Sequence, residues 1–207
     1  VHELILSGGD PLVVSDGRLR RLLSLFRTAR PDLAFRIHTR LPMAWPRRIT
    51  ANLVGMLSGF RPLRVVTQFN HPRELAPESR NTVQRLLAAG IPVLNQSVLL
   101  RGVNDVPEVL ARLFRSLLEA GIRPYYLFHP DLARGTAHFR PSLAKGWEIY
   151  AQAARLCRPE ELPRYVLDLP GGGGKIALGP SVLANRINGR YLLQNGRGET
   201  CWYPAED

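Results

Sequence analysis

Cysteine, lysine and long apolar runs are scarce in this sequence. Its 207 residues hold two cysteines, Cys157 and Cys201, in no CxxC pair and no histidine–cysteine cluster. The residues therefore predict no metal site of that kind. So few thiols are weakly typical of a reducing compartment, and we expect a cytoplasmic protein. No stretch approaches the roughly 18 apolar residues of a membrane helix, so we expect no membrane partner.

Positive charge is abundant but is carried almost wholly by arginine. Lys and Arg together number 28 against 17 acids, for a net charge of +11, yet only Lys145 and Lys175 are lysines. A nucleic-acid-binding protein usually gathers its charge in a stripe or run. The arginines here are scattered among acids, which favours a solvated surface or one that meets anionic cofactors. We expect no nucleic-acid partner.

Short apolar runs recur at an even interval. They cover residues 3–7, 34–39, 64–69, 92–99 and 122–128 and begin 28 to 31 residues apart. That interval is the length of one strand–helix unit that returns to a parallel strand. Between the runs, leucines and valines follow helical spacing, with Asp16 and Thr50 as predicted N-caps and Gly90 and Gly121 as stops. The pattern predicts an α/β fold, and its evenness favours a parallel barrel over a doubly wound sheet.

The chain is too short for a closed eightfold barrel, which needs roughly 250 residues. Residues 164–168 add a sixth strand, so we expect a partial barrel over 1–176. A small hairpin-like C-terminal extension over 177–207 follows, because two apolar runs there flank Asn195 and Gly196. The chain begins with Val1 directly before a strand, and we expect it to be a fragment that lacks an N-terminal part.

Polar and glycine residues follow the predicted strands. Since the carboxyl ends of the strands carry the chemistry of α/β barrels, these residues predict a polar pocket at one mouth. The candidates are Gly8, Gly9, Asp10, Arg40, Gln68, Gln96, Asp131 and Asp168. His38 and His71 also lie near strand ends, where isolated histidines are more often hydrogen-bonded structural residues than ligands.

The sharpest local signal is Gly171–Gly174 followed by Lys175, here called the glycine loop and its lysine. Four consecutive glycines cost backbone entropy, so some feature must need the room. The residues do not form a P-loop. A lysine on such a loop can bond to a carbonyl cofactor such as pyridoxal phosphate, or it can simply be exposed on a flexible loop. Asp131 and Asp168 could act as acid and base, hold a metal or bind a substrate cation. A helix N-cap for Asp131 and a plain loop position for Asp168 stay open.

Longer strings resemble one family. They are SGGDPL at 7–12, RIHTRLP at 36–42, FNHP at 69–72, NQSVLLRGVND at 95–105, PYY at 124–126, HFR at 138–140 and DLPGGGGK at 168–175. In this order they resemble the C-terminal half of the lysine 2,3-aminomutases, which belong to the radical S-adenosylmethionine (SAM) superfamily. The resemblance implies a partial (βα)6 barrel with a [4Fe–4S] cluster, SAM and pyridoxal phosphate. It also implies an isomerase that interconverts L-lysine and L-β-lysine by moving the amino group from C2 to C3.

The same resemblance implies roles for single residues. Lys175 matches the lysine that bonds to pyridoxal phosphate, and Asp131 and Asp168 match the pair that holds the substrate ε-ammonium. Gly8, Gly9 and Asp10 match the motif that binds the SAM amino group. Arg40, Gln68 and Gln96 match positions that line the SAM pocket, although family members usually have histidine at the position of Gln68.

The sequence also departs from the family. The CxxxCxxC cluster motif is absent and would lie before Val1, so we expect no metal ligand in this chain and no activity of the fragment alone. Val106 stands at one ligand position of the family's zinc site. The resemblance implies a flavodoxin or ferredoxin as electron donor and association with further copies of the chain. Three alternatives are an enzyme that modifies a lysine of elongation factor P, a non-radical pyridoxal-phosphate barrel and a basic binding module without catalysis.

Overall fold

The computed structural model describes residues 1–205, and the chain divides into two compact units. The first comprises Val1–Gln96 with Ser116–Pro124, and the second comprises Ser97–Arg115 with Tyr125–Asp207. The division predicted at residue 176 stays a prediction. Within the described residues, no helix combines the length and hydrophobicity needed to cross a bilayer.

The first unit alternates strands and helices, as the even spacing predicts. Its strands are β1 (Glu3–Leu6), β2 (Ala34–His38), β3 (Leu63–Thr67) and the start of β4 (Val93–Val98). Each strand pairs in parallel with the next one along the chain. Its helices are α1 (Asp16–Ala29), α2 (Leu41–Ala44), α3 (Ala51–Ser58) and α4 (Pro77–Ala88). The parallel order requires each connection to cross back over the sheet, which is the role of these helices.

Alternation along β2 explains how this sheet is covered. Phe35 and Ile37 are fully buried, while Arg36 and His38 are partly exposed on the opposite side. One face therefore supplies core and the other is free to carry polar groups. On the polar face, Glu3 pairs with Arg36 and with Arg64, whose Nε donates to Oε1 at 2.9 Å.

The helix starts follow capping chemistry, with one correction. Thr50 accepts from the backbone N–H of Leu53 at 3.2 Å, which confirms it as the N-cap of α3. The prediction for Asp16 is wrong by one residue, because Ser15 is the N-cap of α1. Asp16 is the first helical residue, where its negative charge interacts favourably with the positive end of the helix dipole.

The second unit contains the candidate cofactor lysine. Its elements are the start of α5 (Pro107–Glu119), most of β5 (Arg123–Phe128), α6 (Leu143–Arg155), β6 (Arg164–Asp168), β7 (Lys175–Ala177) and α7 (Pro180–Leu183). β5 and β6 are parallel, whereas β7 runs antiparallel to β6. The antiparallel strand was not predicted. It sets Asp168 directly opposite Lys175 in the register.

The C-terminal residues form a separate antiparallel sheet. It contains β8 (Arg186–Ile187), β9 (Arg190–Gln194) and β10 (Thr200–Pro204), in the order β10–β9–β8. The hairpin predicted around Asn195 and Gly196 is confirmed, since β9 pairs with β10. The parallel α/β prediction is confirmed, while the sixfold strand–helix count stays a prediction.

Candidate active site

A concave pocket of about 410 Å³ opens in the first unit. Its size lies within the roughly 300–1,000 Å³ of small-molecule sites. All six residues that the resemblance connects with SAM line it: Gly8, Gly9, Asp10, Arg40, Gln68 and Gln96. The structure therefore brings together residues that follow β1, β2 and β3 and one residue within β4, and their role toward SAM stays a prediction.

Asp10 uses its carboxylate to join two strand ends. Its Oδ1 accepts from Leu12 N at 3.1 Å and from Thr39 Oγ1 at 2.8 Å. Its Oδ2 accepts from Arg40 N at 2.7 Å. These bonds fix the turn after β1 against the turn after β2. The carboxylate thus shapes the pocket, whether or not it also meets a ligand.

Gly8 and Gly9 are needed for backbone conformation rather than for space. Their φ angles are +88° and +54°, and a Cβ added to either would meet no atom within 4 Å. Residues with side chains rarely adopt such φ values. The turn therefore leaves its backbone open to the pocket.

The two candidate histidines, His38 and His71, lie in different surroundings. His71 caps a short turn, since its Nδ1 accepts from Arg73 N at 3.2 Å. That contact supports the structural interpretation of His71. His38 lies in the wall of the pocket of the first unit.

A second pocket, of about 330 Å³, lies in the second unit and contains both candidate carboxylates. We call it the anionic pocket, and Asp131, Leu132, Ala133, Asp168, Leu169, Pro170 and Tyr203 line it. The N-cap interpretation of Asp131 is wrong, because Thr136 is the N-cap of the short 3-10 helix Ala137–Phe139 and Ser142 caps α6. Asp168 is the last residue of β6 rather than a loop residue. The sequence predicted both acids, and the fold places them on one cavity.

Lys175 lies against this pair. Its Nζ is 3.0 Å from Asp168 Oδ1, with side chains 41% and 39% exposed, respectively. The same ammonium lies 5.4 Å from the centre of the Phe128 ring, a cation–π distance. Phe128 is a site residue that the sequence interpretation missed. Its position at the end of β5 was the available signal.

Charge and desolvation act together on Asp131. Desolvation raises its pKa above the usual 3.8, the negative charge of Asp168 raises it further, and the positive charge of Lys175 opposes both. Two carboxylates that repel each other gain most from a cation placed between them. A cation close to both carboxylates of the anionic pocket would offset this repulsion.

The glycine loop is held from one side by the C-terminal sheet. Asn195 is 8% exposed, and its Nδ2 donates to Gly173 O at 2.8 Å. Gly171, Gly172 and Gly174 have φ near +72° to +81°, which explains why glycine is required. Asn195 is thus a second residue that sequence interpretation missed, because a turn signal alone does not reveal its partner.

Comparisons with known proteins agree with this picture. No family model matches the chain. It is 41% identical over 198 residues to an L-lysine 2,3-aminomutase of Methanococcus maripaludis, covering 96% of this chain and 46% of that protein. It is 39% identical over 207 residues to an L-lysine 2,3-aminomutase of Acetoanaerobium sticklandii, covering 100% and 50%. The chain belongs to the lysine 2,3-aminomutase family.

Membership in the lysine 2,3-aminomutase family does not by itself define the substrate. A glutamate 2,3-aminomutase of Clostridioides difficile is 33% identical over 199 residues, covering 96% of this chain and 47% of that protein. The chain spans about half the length of the curated relatives it matches. Substrate choice must therefore be argued from the site.

Solved structures share the fold. A radical SAM methyltransferase from Sphaerobacter thermophilus matches with a TM-score of 0.55 at 16% identity, covering 80% of this chain and 51% of that chain. Streptococcus suis SuiB, solved with S-adenosylmethionine, matches with a TM-score of 0.59 at 13% identity, covering 81% and 39%. These likenesses show that this aminomutase-family chain has the α/β fold of radical SAM enzymes.

The two cysteines of this family member do not fit an iron–sulfur cluster. Cys157 follows α6 and Cys201 lies in β10, and both are free thiols. A [4Fe–4S] cluster is held by several cysteine thiolates. Among residues 1–205, no three His, Cys, Asp or Glu side chains converge as metal ligands. Cluster chemistry would need ligands other than these side chains.

Proposed function

We propose that this chain supplies the amino-acid site and the cofactor lysine of a 2,3-aminomutase whose substrate has a cationic side chain, L-lysine foremost. One observation carries the proposal. Asp131 and Asp168 line one pocket, and the ammonium of Lys175 lies against it. A site that holds a lysine ammonium is chemically suited to the distal end of L-lysine.

Lys175 fits the role of anchor for pyridoxal phosphate. Its side chain is 41% exposed and follows the open backbone of the glycine loop, so an aldehyde can reach it. When bound, pyridoxal phosphate supplies a conjugated ring that stabilises electrons displaced from the amino-acid carbon. Lys175 would hold the cofactor, and Asn195 would keep the preceding loop in place through Gly173.

Charge distinguishes lysine from glutamate. Asp131 and Asp168 would attract the ε-ammonium of lysine and repel the γ-carboxylate of glutamate. Specificity often depends on such repulsion as much as on attraction. Desolvation, followed by the negative charge of Asp168, raises the pKa of Asp131, and an added positive charge beside the pair would counter both effects. The anionic pocket thus favours lysine over the substrate of the glutamate-acting relative.

The pocket of the first unit is the proposed SAM site. Gly8 and Gly9 would present backbone groups there, and Arg40, Gln68 and Gln96 would supply polar side chains. Asp10 would hold the pocket in shape through Thr39 and Arg40. The cluster, a flavodoxin or ferredoxin donor, self-association and a cytoplasmic location belong to the same proposal.

The cofactor assignment is tested by trapping. The chain would be incubated with pyridoxal phosphate, reduced with borohydride and mapped by peptide mass. We expect the label on Lys175 in preference to Lys145, which is paired with Glu148 at 2.9 Å and serves as a matched control. Lys175→Arg should remove the main label, and Lys145→Arg should leave it. Equal labelling of both lysines would contradict the assignment.

The substrate assignment is tested by comparing L-lysine with L-norleucine, which has the same chain length without the ammonium. NMR titration should give tighter binding of L-lysine. Asp168→Asn should reduce that preference by roughly tenfold, which lies between the effects of exposed and buried charge pairs, because the pocket is partly exposed. L-glutamate should bind most weakly. An unchanged preference in both Asp131→Asn and Asp168→Asn would refute a cationic substrate site here.

A further inference from the structure

One carboxylate of the anionic pocket is paired with the chain's own lysine. Lys175 Nζ lies 3.0 Å from Asp168 Oδ1 and also meets the face of Phe128. Asp168 and Lys175 are register partners on antiparallel strands, so the pair is set by backbone geometry. A lysine side chain here has the same chemical end group as the proposed substrate.

The charge of Lys175 also acts on Asp131, although these two side chains form no ion pair with each other. The positive charge of Lys175 lowers its pKa, against the larger effects of desolvation and of Asp168. The single positive charge of Lys175 therefore acts on two carboxylates, Asp131 and Asp168. A second cation entering the same cavity would compete with Lys175 for Asp168 and be repelled by it.

We propose that Asp168 serves two cations in turn: it pairs with Lys175 in the cofactor-free chain, and it is more available to the ammonium of an incoming substrate while Lys175 is bonded to an aldehyde. This inference rests on the proposed function. It makes Asp168 a positioning residue for Lys175 as well as a substrate contact. Binding of the carbonyl cofactor and of the cationic substrate would then be positively coupled, in both directions.

Bond formation at Lys175 explains how Asp168 can change from one cation to the other. The Lys175 ammonium loses one proton, and its nitrogen attacks the aldehyde carbon. A C=N bond replaces the C=O bond, and the oxygen leaves as water. The nitrogen then no longer offers three N–H donors and a localised charge to Asp168. Asp131 and Asp168 are left together in the cavity, where the cation of an incoming side chain relieves their repulsion.

The test separates the two cations without using catalysis. The probe is n-pentylammonium, followed by NMR titration of the chain. Lys175→Met keeps an unbranched side chain that is one heavy atom shorter and removes its charge, so it imitates the loss of the internal competitor. We expect probe binding to tighten by about two- to fivefold, as suits a partly exposed ion pair. Lys175→Arg, which retains the charge, should show no gain.

Two controls make the result specific. Lys145→Met removes the other lysine and breaks its pair with Glu148, yet it should leave probe binding unchanged. Asp168→Asn in the Lys175→Met background should remove the gain. Lys175→Gln provides a second neutral variant should Lys175→Met unfold.

The outcomes distinguish this inference from the proposed function. If Asp131→Asn weakens binding but neutralising Lys175 brings no gain, the exchange is refuted while the cation site stands. If the probe binds no variant, or binds all of them equally, both ideas are overturned. A gain that survives Asp168→Asn would also overturn the exchange.

Discussion

Gly146 controls how α6 packs beneath the candidate site. A Cβ added there would lie less than 3.0 Å from the hydroxyl of Tyr165, 3.2 Å from Nδ1 of His129 and 3.3 Å from Leu99. Tyr165 and His129 are buried and joined by a hydrogen bond of 2.8 Å. Burial raises the pKa of Tyr165 well above 10, so its hydroxyl stays protonated. Gly146→Ala must therefore push a rigid ring away from its partner.

The cost of Gly146→Ala follows from three terms. Overpacking costs about 1–3 kcal/mol, and a strained buried hydrogen bond adds about 1 kcal/mol. Replacing a helical glycine by alanine returns about 1 kcal/mol. We expect the free energy of unfolding to fall by about 2 kcal/mol. The amides of α6 should also exchange faster with solvent, because the added methyl group weakens the packing of this helix.

A double-mutant cycle checks the reasoning. Tyr165→Phe removes the hydroxyl that meets the new methyl group, so Gly146→Ala should be nearly neutral in that background. The coupling energy should be about 1.5 kcal/mol or more, within the range seen for residues in contact. Urea unfolding gives the energies, and hydrogen exchange of α6 localises them. Additive effects within about 0.5 kcal/mol would refute the steric explanation.

Three further perturbations follow from the site. Asp131→Asn should stabilise the cofactor-free chain at pH 7, because a raised pKa means that the ionised form disfavours the fold. The gain should vanish as pH falls below 3.8, the usual value, and a pH-independent gain in thermal unfolding would contradict it. Glu3→Gln should cost about 1–2 kcal/mol at pH 7 through lost charged hydrogen bonds. Because the pKa of Glu3 is lowered from 4.5, this stability is present above 4.5 and lost as pH falls through the lower folded value, so an equal cost in acid would argue against it. Asn195→Ala should loosen the glycine loop and reduce trapping of pyridoxal phosphate at Lys175 by roughly fivefold, the equivalent of one hydrogen bond. Gln194→Ala is its matched control. Equal trapping in both variants would contradict a role of Asn195 in holding the glycine loop.

Local patterns determined the architecture of this chain. The spacing of apolar runs predicted β1 to β6, because strand and helix periods depend on neighbours only a few residues away. The same logic located both candidate acids near strand ends, and the run of four glycines singled out Lys175. It failed by one residue at Ser15, where two adjacent polar residues were both suitable caps.

Tertiary structure decided how those residues meet. Asp10 accepts bonds from Thr39 and Arg40, 29 and 30 residues away, which no local period encodes. The reversal into β7 sets Lys175 against Asp168, because glycines at positive φ allow a turn that most side chains would forbid. Sequence alone thus determined which groups are present, and chain reversal decided that Lys175, the proposed cofactor lysine, lies beside the site proposed for the substrate's ammonium.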